Sequence, residues 1–273
     1  MNLAGKTLFI TGASRGIGLA IALRAARDGA NVAVVAKTVE PHPKLPGTIH
    51  TAAAEIEAAG GHALAVQCDV RDETQITAAV EATVKRFGGI DVVVNNASAI
   101  RLGGTAQVDA KGFDLMVGIG PRATYLVTRA ALPHLERAAN GHVLTLSPPI
   151  RLQSKWVGAA PAYTFKKYGM TLLTLGFAAE FRERGIAANA LWPKTVIATA
   201  AVQNLLGGDA VIKASRKPAI VADAAYAILV RDAHECTGNT FIDEDVLREA
   251  GITDLDGYAT SPGTPLGEDI FLD

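Results

Sequence analysis

Short, mostly apolar runs recur along the chain, and between them lie longer stretches whose apolar residues return at helical spacing. Seven runs read as strands: Thr7-Leu8-Phe9-Ile10, Val32-Ala33-Val34-Val35-Ala36, Ala63 to Gln67, Ile90-Asp91-Val92-Val93-Val94, His142 to Leu146, Ile186 to Leu191 and Asn239 to Ile242. The first run has the unbroken apolar character of a buried parallel strand. The spacing between runs predicts helices over Leu19 to Arg27, Thr51 to Ala59, 73–87, 112–138, 161–184 and 222–231. Glycines stop several of them, at Gly29, Gly60-Gly61 and Gly88-Gly89, and Asp72 caps the third. The long segment 112–138 holds Gly118, Gly120, Pro121 and Pro133, and each proline is expected to kink or interrupt it. Residues 38–50 are proline-rich, around Pro41-His42-Pro43-Lys44-Leu45-Pro46-Gly47, and predict a rigid loop of unusual length. After Trp192-Pro193-Lys194-Thr195, a small-residue stretch to Gly208 is expected to form a lid, and from about Thr253 the tail is polar and irregular.

Composition narrows the class. At 273 residues the chain is long enough for a sizeable core and still fits one α/β domain, 1–273. A net charge of −1 without a basic block argues against nucleic acid or a membrane surface as partner. No apolar run reaches the length of about 18 residues that a membrane span needs. The chain enters its first strand without room for a signal peptide, and the two distant cysteines, Cys68 and Cys236, suggest a reducing compartment. The expectation is a cytoplasmic protein with no metal site.

Three groups of residues carry chemistry. At the first strand–helix junction stands Thr11-Gly12-Ala13-Ser14-Arg15-Gly16-Ile17-Gly18. Glycines there let the backbone approach a pyrophosphate, and the helix start faces it with free N–H groups. No acid stands at positions 36–38 to hold a ribose hydroxyl; Lys37 and Arg15 suit a 2′-phosphate instead, or are two solvated cations. Asp69, past the third strand, reads either as an acceptor for an adenine amino group or as a turn residue. Asn95 and Asn96, past the fourth, either tie strand ends together or touch a ligand. Tyr163 and Lys167, four apart on one helix, place a cation beside a phenol. A free phenol titrates near 10, and a close ammonium lowers that value, making an acid/base for a carbonyl or hydroxyl. Ser147, past the fifth strand, is placed to bond a substrate oxygen or is a turn serine before Pro148-Pro149.

Together, Thr11-Gly12 through Gly18, Asp69, Asn95-Asn96-Ala97, the Tyr163–Lys167 pair and the Pro193 segment resemble the short-chain dehydrogenase/reductase family over nearly the whole chain. The resemblance implies a Rossmann-type, doubly wound parallel sheet in the order 3-2-1-4-5-6-7 with helices on both faces. It implies NADP held by Gly12, Ser14, Arg15, Gly16, Ile17, Gly18, Lys37, Asp69, Asn96, Ala97, Tyr163, Lys167 and Pro193. Tyr163 would be the acid/base, Lys167 its partner, and Ser147 would orient the carbonyl of an apolar substrate. The helices at 112–138 and 161–184 would form the faces of a homodimer or homotetramer. The chain departs from the family at three places. Gly120 stands where the family has an asparagine that helps hold a water linking the catalytic lysine to solvent. Lys166 replaces the usual small residue before that lysine. Pro148 replaces a second serine, and Ser147 lies 16 residues before Tyr163, a longer spacing than usual. Two departures beside one site point to substitution in this chain. They also support a second reading, an NADP-binding sensor or scaffold with little turnover, and asparagine restored at 120 is the change expected to separate the two.

Overall fold

The computed structural model describes residues 1–42 and 45–272. Pro43 and Lys44 of the proline-rich loop, and the terminal Asp273, lie outside the described residues. The apolar runs pair as strands β1 (Thr7–Thr11), β2 (Asn31–Ala36), β3 (His62–Gln67), β4 (Val92–Asn95), β5 (Gly141–Leu146), β6 (Ile186–Trp192) and β7 (Thr240–Ile242). They form one all-parallel sheet in the order β3-β2-β1-β4-β5-β6-β7. Between β1 and β4 the strand order reverses, so the crevice outside their carboxyl ends is where such a sheet binds ligands.

Strand side chains alternate between two buried layers. Leu8 and Ile10 of β1, with Val32 and Val34 of β2, pack beneath α1 (Gly16–Ala26), α2 (Ile49–Ala58) and the later α10 (Ala219–Leu229) and α11 (Asp243–Glu249). Phe9, Ala33, Val35 and Val93 point the other way, toward α3 (Glu73–Phe87), α5 (Ala123–Leu135) and α7 (Pro161–Glu180). The central strands are apolar without alternation because neither face meets water. Caps follow the sequence. Asp72 accepts from the backbone of Thr74 and Gln75 at the start of α3, and Gly88, at φ +89°, ends it in a left-handed turn that an L side chain resists.

The expected long helix 112–138 is three pieces. The helix α4 (Ala110–Val117) runs into a π-helical turn at Gly118–Arg122, and α5 follows. Pro121 removes a backbone donor, and Gly120 takes non-helical dihedrals (φ −83°, ψ −107°), so the ladder breaks there. Pro133 sits inside α5 without interrupting it, two residues before the helix ends. The stretch expected as a lid contains one short helix, α8 (Ala200–Leu205), and a second, α9 (Gly208–Lys213), starts at its end; a further short one, α6 (Ser154–Ala159), precedes α7. Sequence periodicity missed these three and α11, because six or seven residues hold too few turns to show a repeat.

The tail is irregular, as expected, but it is not loose. Backbone bonds from Val196 to Gly267 and from Asp269 to Lys194 lay it along the segment after β6. Phe271 ends buried in a third, smaller cluster with Tyr163, Tyr168 and Trp192. Its φ of +70° is the one positive value at a non-glycine among the described residues, a strained conformation held by that packing.

Candidate active site

The glycine turn fits a pyrophosphate. Gly12 and Gly16 adopt φ of +69° and +60°, so an L side chain would strain both. At Gly18 a Cβ would stand 2.5 Å from Asn96 Nδ2 and 2.7 Å from the Gly12 carbonyl oxygen, so only glycine allows the helix to pack this close. No side chain caps the start of α1, which leaves its first N–H groups free for an anion. Asn96 builds this turn from the neighbouring strand: its Nδ2 donates to the carbonyls of Thr11 and Gly12, while the Asn96 and Ala97 amides donate to Thr11 Oγ1. Asn95 instead donates to Thr128 Oγ1 and ties β4 to α5.

The residues expected at the adenosine end are placed unequally. Arg15 donates from Nε and Nη2 to the carbonyls of Pro46 and Gly47, at 2.7 and 2.9 Å, and so staples the proline-rich loop to the glycine turn. Lys37 is exposed at the end of β2. Asp69, beside it past β3, is held by Arg71 in a bidentate pair, and that pairing, with Lys37 helping, keeps its carboxyl below the usual range.

Tyr163 and Lys167 lie on one face of α7, both buried. Lys167 Nζ donates to the Leu146 carbonyl at the end of β5, 2.6 Å away, and stands 4.6 Å from the Trp192 ring centroid. Burial lowers its pKa to about 8, with Asp269 opposing the fall. The expected depression of the Tyr163 phenol is absent: burial, then the negative charge of Asp269, raises it above its ordinary value of 10. Desolvation governs here because the tail covers the site. Phe271 stacks on Tyr163 with ring centroids 6.2 Å apart and is ringed by Trp156, Tyr168 and Trp192 at 5.1–6.1 Å. Asp269 is itself raised to about 7, by burial first, with Lys167 pulling it down.

Ser147 is fully buried, and its hydroxyl pairs with Thr171 Oγ1 at 2.9 Å; Thr171 also reaches the Pro148 carbonyl. The serine expected to orient a carbonyl is thus engaged with α7. Pro193 continues β6 past Trp192 and is buried. Nearby, Thr195 Oγ1 and Asp243 Oδ2 are buried polar atoms without a hydrogen-bond partner among the described residues.

Gly120 and Lys166 prove to be one arrangement. Lys166 is fully buried, and a Cβ built on Gly120 would fall 2.5 Å from Lys166 Cγ. Asparagine at 120 alone therefore cannot report on turnover, because it collides with the lysine stem. Sequence reasoning missed Asp269, Phe271, Ser98 and Ala99, all of which touch the site from loops that carry no periodic signal.

The short chain dehydrogenase family pattern matches residues 6–208. The chain is 59% identical over 272 residues to hydroxysteroid dehydrogenase-like protein 2 of Xenopus laevis and 55% identical to that of Homo sapiens. It is covered completely in both alignments and spans 64% of the length of those two relatives. A short chain dehydrogenase structure from Mycobacterium thermoresistibile superposes with a TM-score of 0.95 at 58% identity, covering all of this chain and 96% of that one. Among the described residues no helix is long and apolar enough to cross a membrane, and no group of three potential ligands could hold a metal ion.

Proposed function

The chain belongs to the short-chain dehydrogenase family of oxidoreductases, and from that premise we propose that it is an NADP-dependent enzyme moving a hydride between the nicotinamide and a carbonyl or secondary alcohol. The observation that carries this reading is the meeting of two features at one sheet edge: the glycine cradle at the end of β1, and Lys167 bonded to the end of β5 beside Tyr163. A bound nicotinamide supplies the hydride in reduction and takes it up in oxidation. Tyr163 gives its phenolic proton to the carbonyl oxygen as that oxygen gains charge, and takes it back from the hydroxyl in the reverse direction. Lys167 supplies the positive charge that steadies the phenolate. Lys37 supports the choice of NADP: it stands exposed where an NAD site would carry an acid, while Arg15 is tied to the loop. Gly12, Ser14, Gly16, Ile17, Gly18, Asn96, Ala97 and Pro193 line the remaining path, and Asp69 stands at the adenine end. Ser147, braced by the Thr171 hydroxyl, keeps its own O–H as the donor that would orient the carbonyl.

The aromatic ring around Phe271 supports an apolar substrate. Trp156, Tyr168 and Trp192 surround a phenyl group directly against Tyr163, so the slot suits a flat apolar group once the tail moves aside. The same cover favours the second reading, a nucleotide-binding protein with little turnover. Titration with NADPH and NADH, followed by NADPH oxidation against apolar aldehydes and ketones, separates them. Turnover is expected, and Tyr163→Phe is expected to lower it by at least about 100-fold while NADPH still binds. Tight NADPH binding without turnover on any carbonyl would favour the second reading. Absence of nucleotide binding would remove both.

A further inference from the structure

Lys166 sits on the catalytic helix immediately before Lys167, yet it meets a different set of partners. Its stem lies in the space over Gly120, at the kink between α4 and α5, where a Cβ would stand 2.5 Å from Cγ and 3.0 Å from Cε. Carbon atoms do not approach that closely, so residue 120 must be glycine for the lysine to lie as it does. The amine then reaches Ser98 Oγ at 2.5 Å and the Ala99 carbonyl at 3.0 Å, and stands 5.2 Å from the centroid of the Tyr163 ring. Ser98 and Ala99 continue the loop whose first residues, Asn96 and Ala97, hold the glycine turn through Thr11 and Gly12. A single buried amine thus joins the helix carrying Tyr163 to the floor of the nucleotide cradle.

The chemistry of the amine fits this task. Burial, and then the neighbouring Lys167, push it well below the ordinary lysine range. Its partners among the described residues are a hydroxyl and a carbonyl, with no carboxylate to compensate a charge. With or without its third proton the amine has at least two N–H donors, so it donates to both the Ser98 hydroxyl oxygen and the Ala99 carbonyl. Lys166 thus acts as a tether through its two N–H donors.

We propose that Lys166 is a positioning residue of this site, fastening the Asn96–Ala99 loop to the catalytic helix through a channel that Gly120 keeps open. The proposal rests on the dehydrogenase reading only in taking that loop as the cofactor's floor. Lys166→Met keeps most of the stem volume and removes the amine. In the full chain without nucleotide, hydrogen exchange of the amides from Asn96 to Ile100 is expected to quicken about tenfold, the worth of one net hydrogen bond. The KM for NADPH is expected to rise by a similar factor while kcat at saturating cofactor changes less, a split that simple loss of packing would not produce. Unchanged exchange and unchanged NADPH affinity would overturn the proposal. If Lys166→Met does not fold, Gly120→Ala probes the same tether by crowding the stem, and the same two outcomes decide. The double variant Gly120→Asn with Lys166→Ala is expected to regain the thermal stability that Gly120→Asn loses; no regain would refute the channel. Should the parent bind neither nucleotide, the functional reading fails, and the exchange result still judges the tether.

Discussion

At the scale of single residues, Lys37 is the group proposed to bear the cofactor preference. Arg15 donates its guanidinium to two loop carbonyls, and Asp69 is bracketed by Arg71, so the exposed ammonium of Lys37 is the group proposed to meet a 2′-phosphate. Lys37→Ala is expected to weaken NADPH binding by about tenfold or more, the worth of a charge-assisted hydrogen bond, and to leave NADH nearly unchanged. Fluorescence titration with each nucleotide checks this, and equal losses for both would point to a general role in the turn. The glycine turn and the Tyr163–Lys167 pair were legible in the sequence because each depends on local spacing. The partners of Ser147, Arg15 and Lys166 were not, because each is set by a residue 24 or more positions away. The sign of the Tyr163 shift was misread for the same reason: it depends on how deeply the phenol is covered, which spacing does not encode.

At the scale of elements, strands and long helices were readable from periodicity, and the tail was not. Its role comes from where it lands. Asp269, ordinarily a carboxylate near 3.8, titrates in the folded chain at about 7 because it is buried. The folded form therefore holds a proton that the unfolded form has lost, and the stabilisation this gives is complete below about pH 4 and disappears as pH rises through about 7. The strap from Gly267 to Leu272 is expected to dock more firmly at pH 5.5 than at pH 8, with Asp269→Asn abolishing the difference. Hydrogen exchange of the tail amides at the two pH values measures it, and equal protection at both would place the titration elsewhere.

At the scale of the whole molecule, α4, α5 and α7 present Phe113, Tyr125, Phe165 and Leu172 to solvent, with Phe165 58% and Leu172 60% exposed. Phe113 and Phe165 stack across α4 and α7 at 5.7 Å and make this face continuous. Such a face suits a second copy of the chain, in keeping with the homo-oligomer proposed from sequence. Burying one leucine is worth about 1.5–3 kcal/mol, and a symmetric pair counts it twice. Leu172→Glu is therefore expected to shift the protein from dimer or tetramer to monomer in light scattering, with its circular dichroism intact. An unchanged mass would clear this face of the role.

The pairing of Gly120 with Lys166 also constrains history. With a side chain at 120 the lysine stem cannot lie as it does here and must shift. Glycine arriving first opens the channel, and a lysine that then fills it opposes the way back. Reversion at 120 would meet an occupied space. The two changes thus favour one order, glycine before lysine, and the opposite order in return.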